Sequence, residues 1–199
     1  MGSLTLLAAA TLSTTACLGL RRVERIDPAT VTDLSGGWND ADSRLVANEL
    51  ISQSMNAGWA RTYAAQNSGT APTVIVGDFR NRTTEHIPVM TFTKDLERAF
   101  VNSGAVRIVA SKDERVGVRD ERADQQANAA PETRARMARE QGARYMLIGD
   151  VQEIVDSQGR EKVQFYQIDA NLIDLESNAK VWVGQHKIKK VIQRRRITG

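Results

Sequence analysis

Apolar side chains recur at helical spacing in two segments of the chain. The first follows a turn at Gly36 and Gly37 and a polar residue, Asn39 or Asp40, that can accept hydrogen bonds from a helical first turn. The inward face of this helix carries Leu45, Leu50, Ile51, Met55 and Trp59. Trp38 is either a partner contact or, as is more common for such a tryptophan, packed against the start of the helix. The second predicted helix ends at Gly104, and its inward residues are Phe92, Leu96, Phe100 and Val101.

Short β-branched runs predict the first two strands. Residues 73–81, TVIVGDFRN, have the composition of a buried strand that ends in a polar loop, and residues 105–111, AVRIVAS, predict the next strand. The charged segment 112–130 is either a solvated helix or a mobile loop. A further helix is predicted after it, with its first turn, inward side and end at Pro131, at Met137 and Ala138, and at Gly142.

The last third of the chain alternates strictly between apolar and polar residues. This pattern predicts three antiparallel strands, at 145–156, 162–176 and 180–192. One face of the middle strand carries Tyr166, Ile168, Ala170 and Leu172, and the other carries Phe165, Gln167, Asp169 and Asn171. We therefore predict an α/β (α+β) fold: a single mixed β-sheet of four to five strands with an antiparallel C-terminal meander, flanked by three to four helices.

Composition narrows the class of protein. The 199 residues suit one domain plus a targeting segment, and a net charge of +3 is far from the dense positive surface of a nucleic-acid binder. A single cysteine excludes a disulfide framework and a multi-cysteine metal site. We therefore expect one domain that binds no nucleic acid.

The position of that cysteine predicts a lipid anchor. Residues 4–16 are uncharged, too short to span a bilayer, and end in small residues directly before Cys17. This arrangement resembles the lipobox of bacterial lipoproteins, whose cysteine carries acyl chains such as palmitate, and Leu18 indicates sorting to the outer membrane. The predicted organisation is a signal peptide at 1–16, a lipidated N-terminus and short tether at 17–33, and a globular domain at 34–199. Fully extended, the tether reaches at most about 55 Å.

Catalytic motifs are not apparent. His86 and His186 are far apart in sequence, and no phosphate loop, dinucleotide fingerprint or nucleophile elbow is present. We predict no enzyme activity, no metal site and no cofactor. The densest positive run comprises Lys187, Lys189, Lys190, Arg194, Arg195 and Arg196. It fits either an edge strand protected by lysines or a surface for anionic lipids or cell-wall polymers.

Four sequence blocks resemble the LpoB family of outer-membrane lipoproteins that activate penicillin-binding proteins. The blocks are WNDADSRLVANELI, VIVGDFRNRT, APETRARMAREQGARYMLIGDV and EKVQFYQIDANLIDLESNAKVWVGQHKIKK, and the resemblance extends over residues 31–191. It implies a fold similar to the N-terminal domain of TolB, held at the outer membrane and facing the periplasm. It also implies binding and stimulation of a bifunctional class A penicillin-binding protein, with a role in peptidoglycan synthesis, cell-wall biogenesis and cell shape.

One departure from the family is the tether, because members that reach an inner-membrane synthase have long Pro- and Gln-rich tethers. An alternative is an envelope assembly or secretion lipoprotein of the same fold, of the curli or flagellar type. We expect a monomer close to peptidoglycan. The candidate partner-binding residues lie in the loop after the first strand and on the outward side of the last strand: Arg80, Asn81, Arg82, Gln185, Lys187 and Lys189.

Overall fold

The computed structural model describes residues 23–133 and 140–193. Two compact units divide the chain, residues 1–30 and residues 31–199. In the described part of the first unit, a turn is closed by the Thr30 N–H, which donates to the Asp27 carbonyl at 2.9 Å. Cys17 and the predicted signal peptide lie outside the described residues, so their assignment stays a prediction.

The described residues of the second unit form four helices and one five-stranded sheet. The helices are α1 (Asp40–Asn56), α2 (Trp59–Gln66), α3 (Val89–Ser103) and α4 (Lys112–Asn128). The strands are β1 (Thr73–Asn81), β2 (Arg107–Ile108), β3 (Tyr145–Gln158), β4 (Glu161–Asp174) and β5 (Lys180–Gln193). The strand order is β2-β1-β3-β4-β5, with β1 parallel to β2 and β3, and with β3, β4 and β5 antiparallel. This mixed sheet confirms the predicted α+β fold class and its C-terminal meander.

The first predicted helix is two helices. Asn39 caps α1 in a reciprocal pair with Asp42, as the sequence indicated. The chain then breaks at Gly58, whose φ of +77° is a left-handed conformation that favours glycine, and Trp59 begins α2. Leu50 and Trp59 are buried as predicted, and Ile51 and Met55 pack against the core. Leu45 is 52% exposed, so its inward assignment is wrong, and its neighbour Val46 is fully buried instead.

The second predicted helix, α3, packs as expected with one exception. Phe92, Leu96 and Phe100 are buried, but Val101 is 56% exposed, so its inward assignment is wrong. The predicted strand at 105–111 is shortened to the two residues of β2. Ser111 caps the next helix in a second reciprocal pair with Glu114, and this cap ends the extended segment.

The charged segment 112–130 is a solvated helix. None of the residues of α4 is buried, and the Lys94 ammonium of α3 binds Glu114 at 2.7 Å. Of the helix predicted after it, residues 131–133 form a turn and residues 140–143 are irregular, so Gly142 does not end a described helix. Met137 and Ala138, predicted to face inward, lie outside the described residues.

The sheet has two different faces. The inner face packs on α1 and α3 and contributes the buried side chains of β4 that alternation predicted, Tyr166, Ile168, Ala170 and Leu172. We call the opposite side the outer face; its β4 residues are Val163, Phe165, Gln167, Asp169, Asn171 and Ile173. Trp38 packs edge-on against Tyr166 at 5.4 Å between ring centroids, and its indole N–H donates to Ser43 Oγ at the start of α1, as predicted.

Candidate interaction surface

A row of polar side chains crosses four strands on the outer face. The strand register aligns Arg80 of β1 with Asp150 of β3, Asp150 with Asp169 of β4, and Asp169 with Gln185 of β5. Aligned residues on one face of a sheet stand about 4.5–5.5 Å apart at their Cβ atoms. The two predicted groups of partner-binding residues, more than 100 positions apart in the sequence, therefore share one face of the folded sheet.

Glutamine amides hold the two facing carboxylates of this row. Asp169 accepts hydrogen bonds from the amide of Gln185 at 2.7 Å and from that of Gln167 at 2.8 Å. Asp150 accepts one from Gln152 at 2.7 Å. Like charges directly opposite each other destabilise a sheet, and amide donors reduce this cost. The centre of the outer face is therefore ordered and acidic.

Cationic side chains lie on either side of this acidic centre. On one side, Arg80 and Arg82 line a cleft of about 620 Å³ together with Lys112. The cleft lies at the carboxyl ends of β1 and β2, the end of parallel strands where ligands commonly bind. It also contains Asp78 and Asp113, so its charge is mixed. On the other side, Lys187 and Lys189 of β5 are exposed.

Asn81 orders the loop that carries Arg82. Its side-chain amide donates to the Glu85 carbonyl at 2.7 Å, and its amide oxygen accepts from the N–H of Thr83 at 2.9 Å. The Arg82 N–H donates to the Val151 carbonyl of β3 at 2.8 Å. Of the three predicted residues at this loop, Asn81 is thus engaged within the loop, whereas Arg80 and Arg82 are exposed.

The predicted positive run at the C-terminus does not form one patch. Lys190 belongs to the inner face, and its side chain is only 13% exposed. Its ammonium donates to Asp42 at 2.7 Å, to Asp33 at 2.8 Å and to the Gly37 carbonyl at 3.0 Å. Burial lowers the pKa of Lys190, but the hydrogen bonds to the two carboxylates outweigh burial and raise this pKa above its usual value. Arg194, Arg195 and Arg196 lie outside the described residues.

Sequence reasoning missed a second inner-face contact, at Glu85. Its carboxylate accepts hydrogen bonds from the Trp38 N–H at 2.9 Å, from the Tyr166 hydroxyl at 2.8 Å and from the Gln164 amide. Burial favours the neutral acid, but these donors outweigh burial and lower the pKa of Glu85. Burial and the Glu85 carboxylate both raise the pKa of the Tyr166 hydroxyl. Glu85 thereby joins the chain before α1 to the loop after β1 and to β4.

Neither histidine belongs to a polar cluster that indicates chemistry. His86 is exposed and His186 is half-buried on β5. Within residues 23–133 and 140–193, no three His, Cys, Asp or Glu side chains are grouped as metal ligands would be. The described helices include none with the length and apolar character needed to cross a membrane.

Together, the described elements define an α+β domain with α1 and α3 packed on one face of a mixed sheet and a charged second face. A sequence model of the family described as peptidoglycan-synthase activator LpoB matches residues 42–188. The chain belongs to this family. A comparison with curated proteins finds no match.

Solved structures with low similarity include LpoB from two bacteria. The chain is 18% identical to the LpoB C-terminal domain from Salmonella enterica, covering 71% of this chain and 96% of that one, with a TM-score of 0.35. It is 15% identical to Escherichia coli LpoB, covering 96% and 84%, with a TM-score of 0.37. Lipoprotein GNA1162 from Neisseria meningitidis is 15% identical, with 60% and 83% covered and a TM-score of 0.38.

Proposed function

We propose that this chain binds a bifunctional class A penicillin-binding protein and stimulates its glycan polymerisation and peptide crosslinking. The observation that carries the proposal is the family match over residues 42–188, whose description names activation of a peptidoglycan synthase. The chain acts by binding and not by catalysis. It needs no cofactor and works as a monomer close to peptidoglycan.

Activation by binding requires only a difference in affinity. A domain that binds the active conformation of the synthase more tightly than the resting conformation shifts the population toward the active one. Each ~1.4 kcal/mol of that difference changes the equilibrium about tenfold. A rigid surface suits this mechanism because little ordering entropy is lost on binding.

The outer face is the surface that we assign to the synthase. Its two cationic margins, Arg80 with Arg82 and Lys187 with Lys189, flank the acidic row of Asp150 and Asp169. Such an alternation of charge favours one orientation of a partner, because like charges brought together by a wrong orientation are costly. Asn81 contributes by ordering the Arg82 loop, and Gln185 by holding Asp169.

The anchor that we propose is a lipid on Cys17 in the outer membrane, with the domain facing the periplasm. Removal of residues 1–16 makes Cys17 the mature N-terminus, and each buried acyl methylene contributes about 0.8 kcal/mol to membrane binding. The tether of residues 17–33 is short, so the partner must extend outward or the cell wall must lie close to the outer membrane.

The test adds the full chain, with Cys17→Ser to keep it free of lipid, to each purified class A penicillin-binding protein of the same organism. Saturable binding and faster glycan polymerisation and crosslinking are the expected results. Binding and stimulation by none of these synthases would overturn the proposal.

Charge reversal then tests the surface. Arg80→Glu with Arg82→Glu, and separately Lys187→Glu with Lys189→Glu, should each weaken synthase binding about tenfold. The matched control is Arg61→Glu with Arg98→Glu, which reverses two exposed charges on α2 and α3. Equal weakening by the control pair would mean that net charge, and not the outer face, determines binding.

A further inference from the structure

The outer edge of β5 pairs with no strand among the described residues, and residues 33–36 lie beside its C-terminal end, where they line a cleft with Val191 and Ile192. In the part of the chain that the structure describes, β5 is the last strand of the sheet and pairs only with β4. At Gln185 both backbone groups point away from β4: the N–H donates to the Gln53 side chain at 3.2 Å, and the carbonyl accepts from the Gln53 amide at 3.0 Å. Because alternate residues of an antiparallel strand point the same way, the backbone groups of Lys187, Lys189 and Val191 point outward as well.

These outward groups are unoccupied over the second half of the strand. Within residues 23–133 and 140–193, the backbone N–H and C=O groups of Lys187, Lys189 and Val191 have no hydrogen-bond partner. Gln53 thus occupies a single position of the edge, where its amide takes the place of a neighbouring strand. Beyond that position, three donors and three acceptors lie in register along about 13 Å of edge.

We infer that this edge, from Lys187 to Val191, binds an extended acidic segment of a partner as a sixth strand of the sheet. The inference deepens the proposed function, because it names the mode of binding at the β5 side of the outer face. Strand addition supplies affinity through main-chain hydrogen bonds and specificity through alternate side chains.

Charge determines the occupant. The outer-face side chains at the edge are Lys187, Lys189 and Val191, so an added antiparallel strand places two acidic residues and then an apolar one beside them. Val191 is 61% exposed and offers the apolar contact. A second copy of this chain paired through the same edge would bring its own lysines near these two, and such like-charge contacts are unfavourable.

The probe is the peptide acetyl-Thr-Val-Thr-Glu-Thr-Glu-Thr-amide, whose valine and two glutamates lie on one face when extended. Added to the full isotope-labelled chain, it should shift the backbone NMR signals of Lys187, Lys189 and Val191 and slow the exchange of their amide hydrogens. Replacing both glutamates by glutamine should weaken its binding about threefold or more. Methylating the backbone nitrogen of the first glutamate should weaken it about fivefold or more.

A matched pair of variants tests the backbone. Lys189→Pro and Lys189→Ala remove the same charge, but only the proline removes the outward N–H, and no hydrogen bond to β4 is lost with it. Lys189→Pro should bind the peptide about fivefold more weakly than Lys189→Ala. If Lys189→Pro fails to fold, the N-methylated peptide still tests whether main-chain hydrogen bonds to β5 contribute to binding, because it is used with the unaltered chain.

Two outcomes overturn the inference. One is peptide binding that neither N-methylation nor the proline weakens. The other is the absence of peptide binding, with or without dimerisation of the chain through β5 in sedimentation. The peptide experiments contain no synthase, so their outcome is independent of the tests of stimulation. Failure of this inference would therefore leave the proposed function untouched, and the reverse also holds.

Discussion

Glu85 and Tyr166, 81 positions apart in the sequence, are joined by a 2.8 Å hydrogen bond from the hydroxyl to the carboxylate. Tyr166 is completely buried, and its ring also packs edge-on against Trp38. The same carboxylate accepts the Trp38 N–H. One acidic side chain therefore fixes the chain that leads into α1, the loop after β1 and the middle of β4.

Tyr166→Phe should destabilise the domain by about 1–3 kcal/mol, because it removes one donor to a carboxylate that burial already penalises. The aromatic ring and its packing are kept, so the decrease in the free energy of unfolding measures the contribution of the hydrogen bond to Glu85. The measurement is urea unfolding followed by tryptophan fluorescence. Tyr63→Phe is the control, since the Tyr63 hydroxyl has no hydrogen-bond partner among the described residues. Equal stability of both variants would contradict this prediction.

The stability of the domain should depend on the ionisation of Glu85. Its folded pKa lies below the ordinary value of 4.5, so the carboxylate stabilises the fold above pH 4.5. That contribution is lost as the pH falls through the lower folded value. Between these two values, the free energy of unfolding should fall less steeply for Glu85→Gln than for the unaltered chain. Unfolding at a series of pH values measures both slopes, and parallel slopes would refute the assignment.

The fold was predictable where local patterns are strict. β4 alternates without interruption from Gln164 to Asp174, so its buried face followed directly from sequence. The boundary between α1 and α2 was harder to predict, because the apolar spacing continues across Gly58, whose left-handed conformation separates the two helices. The predicted face of α1 was nevertheless right at Leu50 and wrong at Leu45, whose neighbour Val46 is the buried residue.

The long-range polar contacts were less predictable for a physical reason. Glu85 stands in a polar loop, where a carboxylate is ordinarily solvated, and no spacing relates it to Tyr166. Lys190 did carry a signal: it alternates with Ile188 and Trp182, both buried, so the strand period directs it inward. A run of positive residues on a strand therefore has to be divided by face before it is interpreted as one surface.

Lys190→Ala should cost more stability than the loss of any exposed lysine of β5. It leaves Asp42, itself only 6% exposed, without its ammonium partner, and Lys190 is partly accessible, so we expect a loss of about 1–3 kcal/mol. Lys189→Ala changes the neighbouring residue on the outer face and should stay within about 0.5 kcal/mol of the unaltered chain. Thermal and urea unfolding of the two variants measure the difference, and similar losses would show that Lys190 is not a structural ion-pair residue.

Gly149→Ala should destabilise the centre of the sheet. A Cβ at this position of β3 would overlap the Phe79 ring and the backbone carbonyl of Asp169. The ring is itself packed edge-on against Phe92 at 4.9 Å between centroids, and the carbonyl belongs to the β3–β4 ladder, so neither can move freely.

We expect a loss of about 1–3 kcal/mol for Gly149→Ala, as for other overpacked cores. Gly142→Ala is the matched control, because a Cβ there would meet nothing within 4 Å. Urea unfolding compares the two variants with the unaltered chain. Because Asp169 lies on the outer face between Asp150 and Gln185, the variant should also shift the NMR signals of the Gln185 and Gln167 amides. A Gly149→Ala chain as stable as Gly142→Ala would mean that Phe79 has room to move, and that the outer face is less firmly supported by the core than the packing indicates.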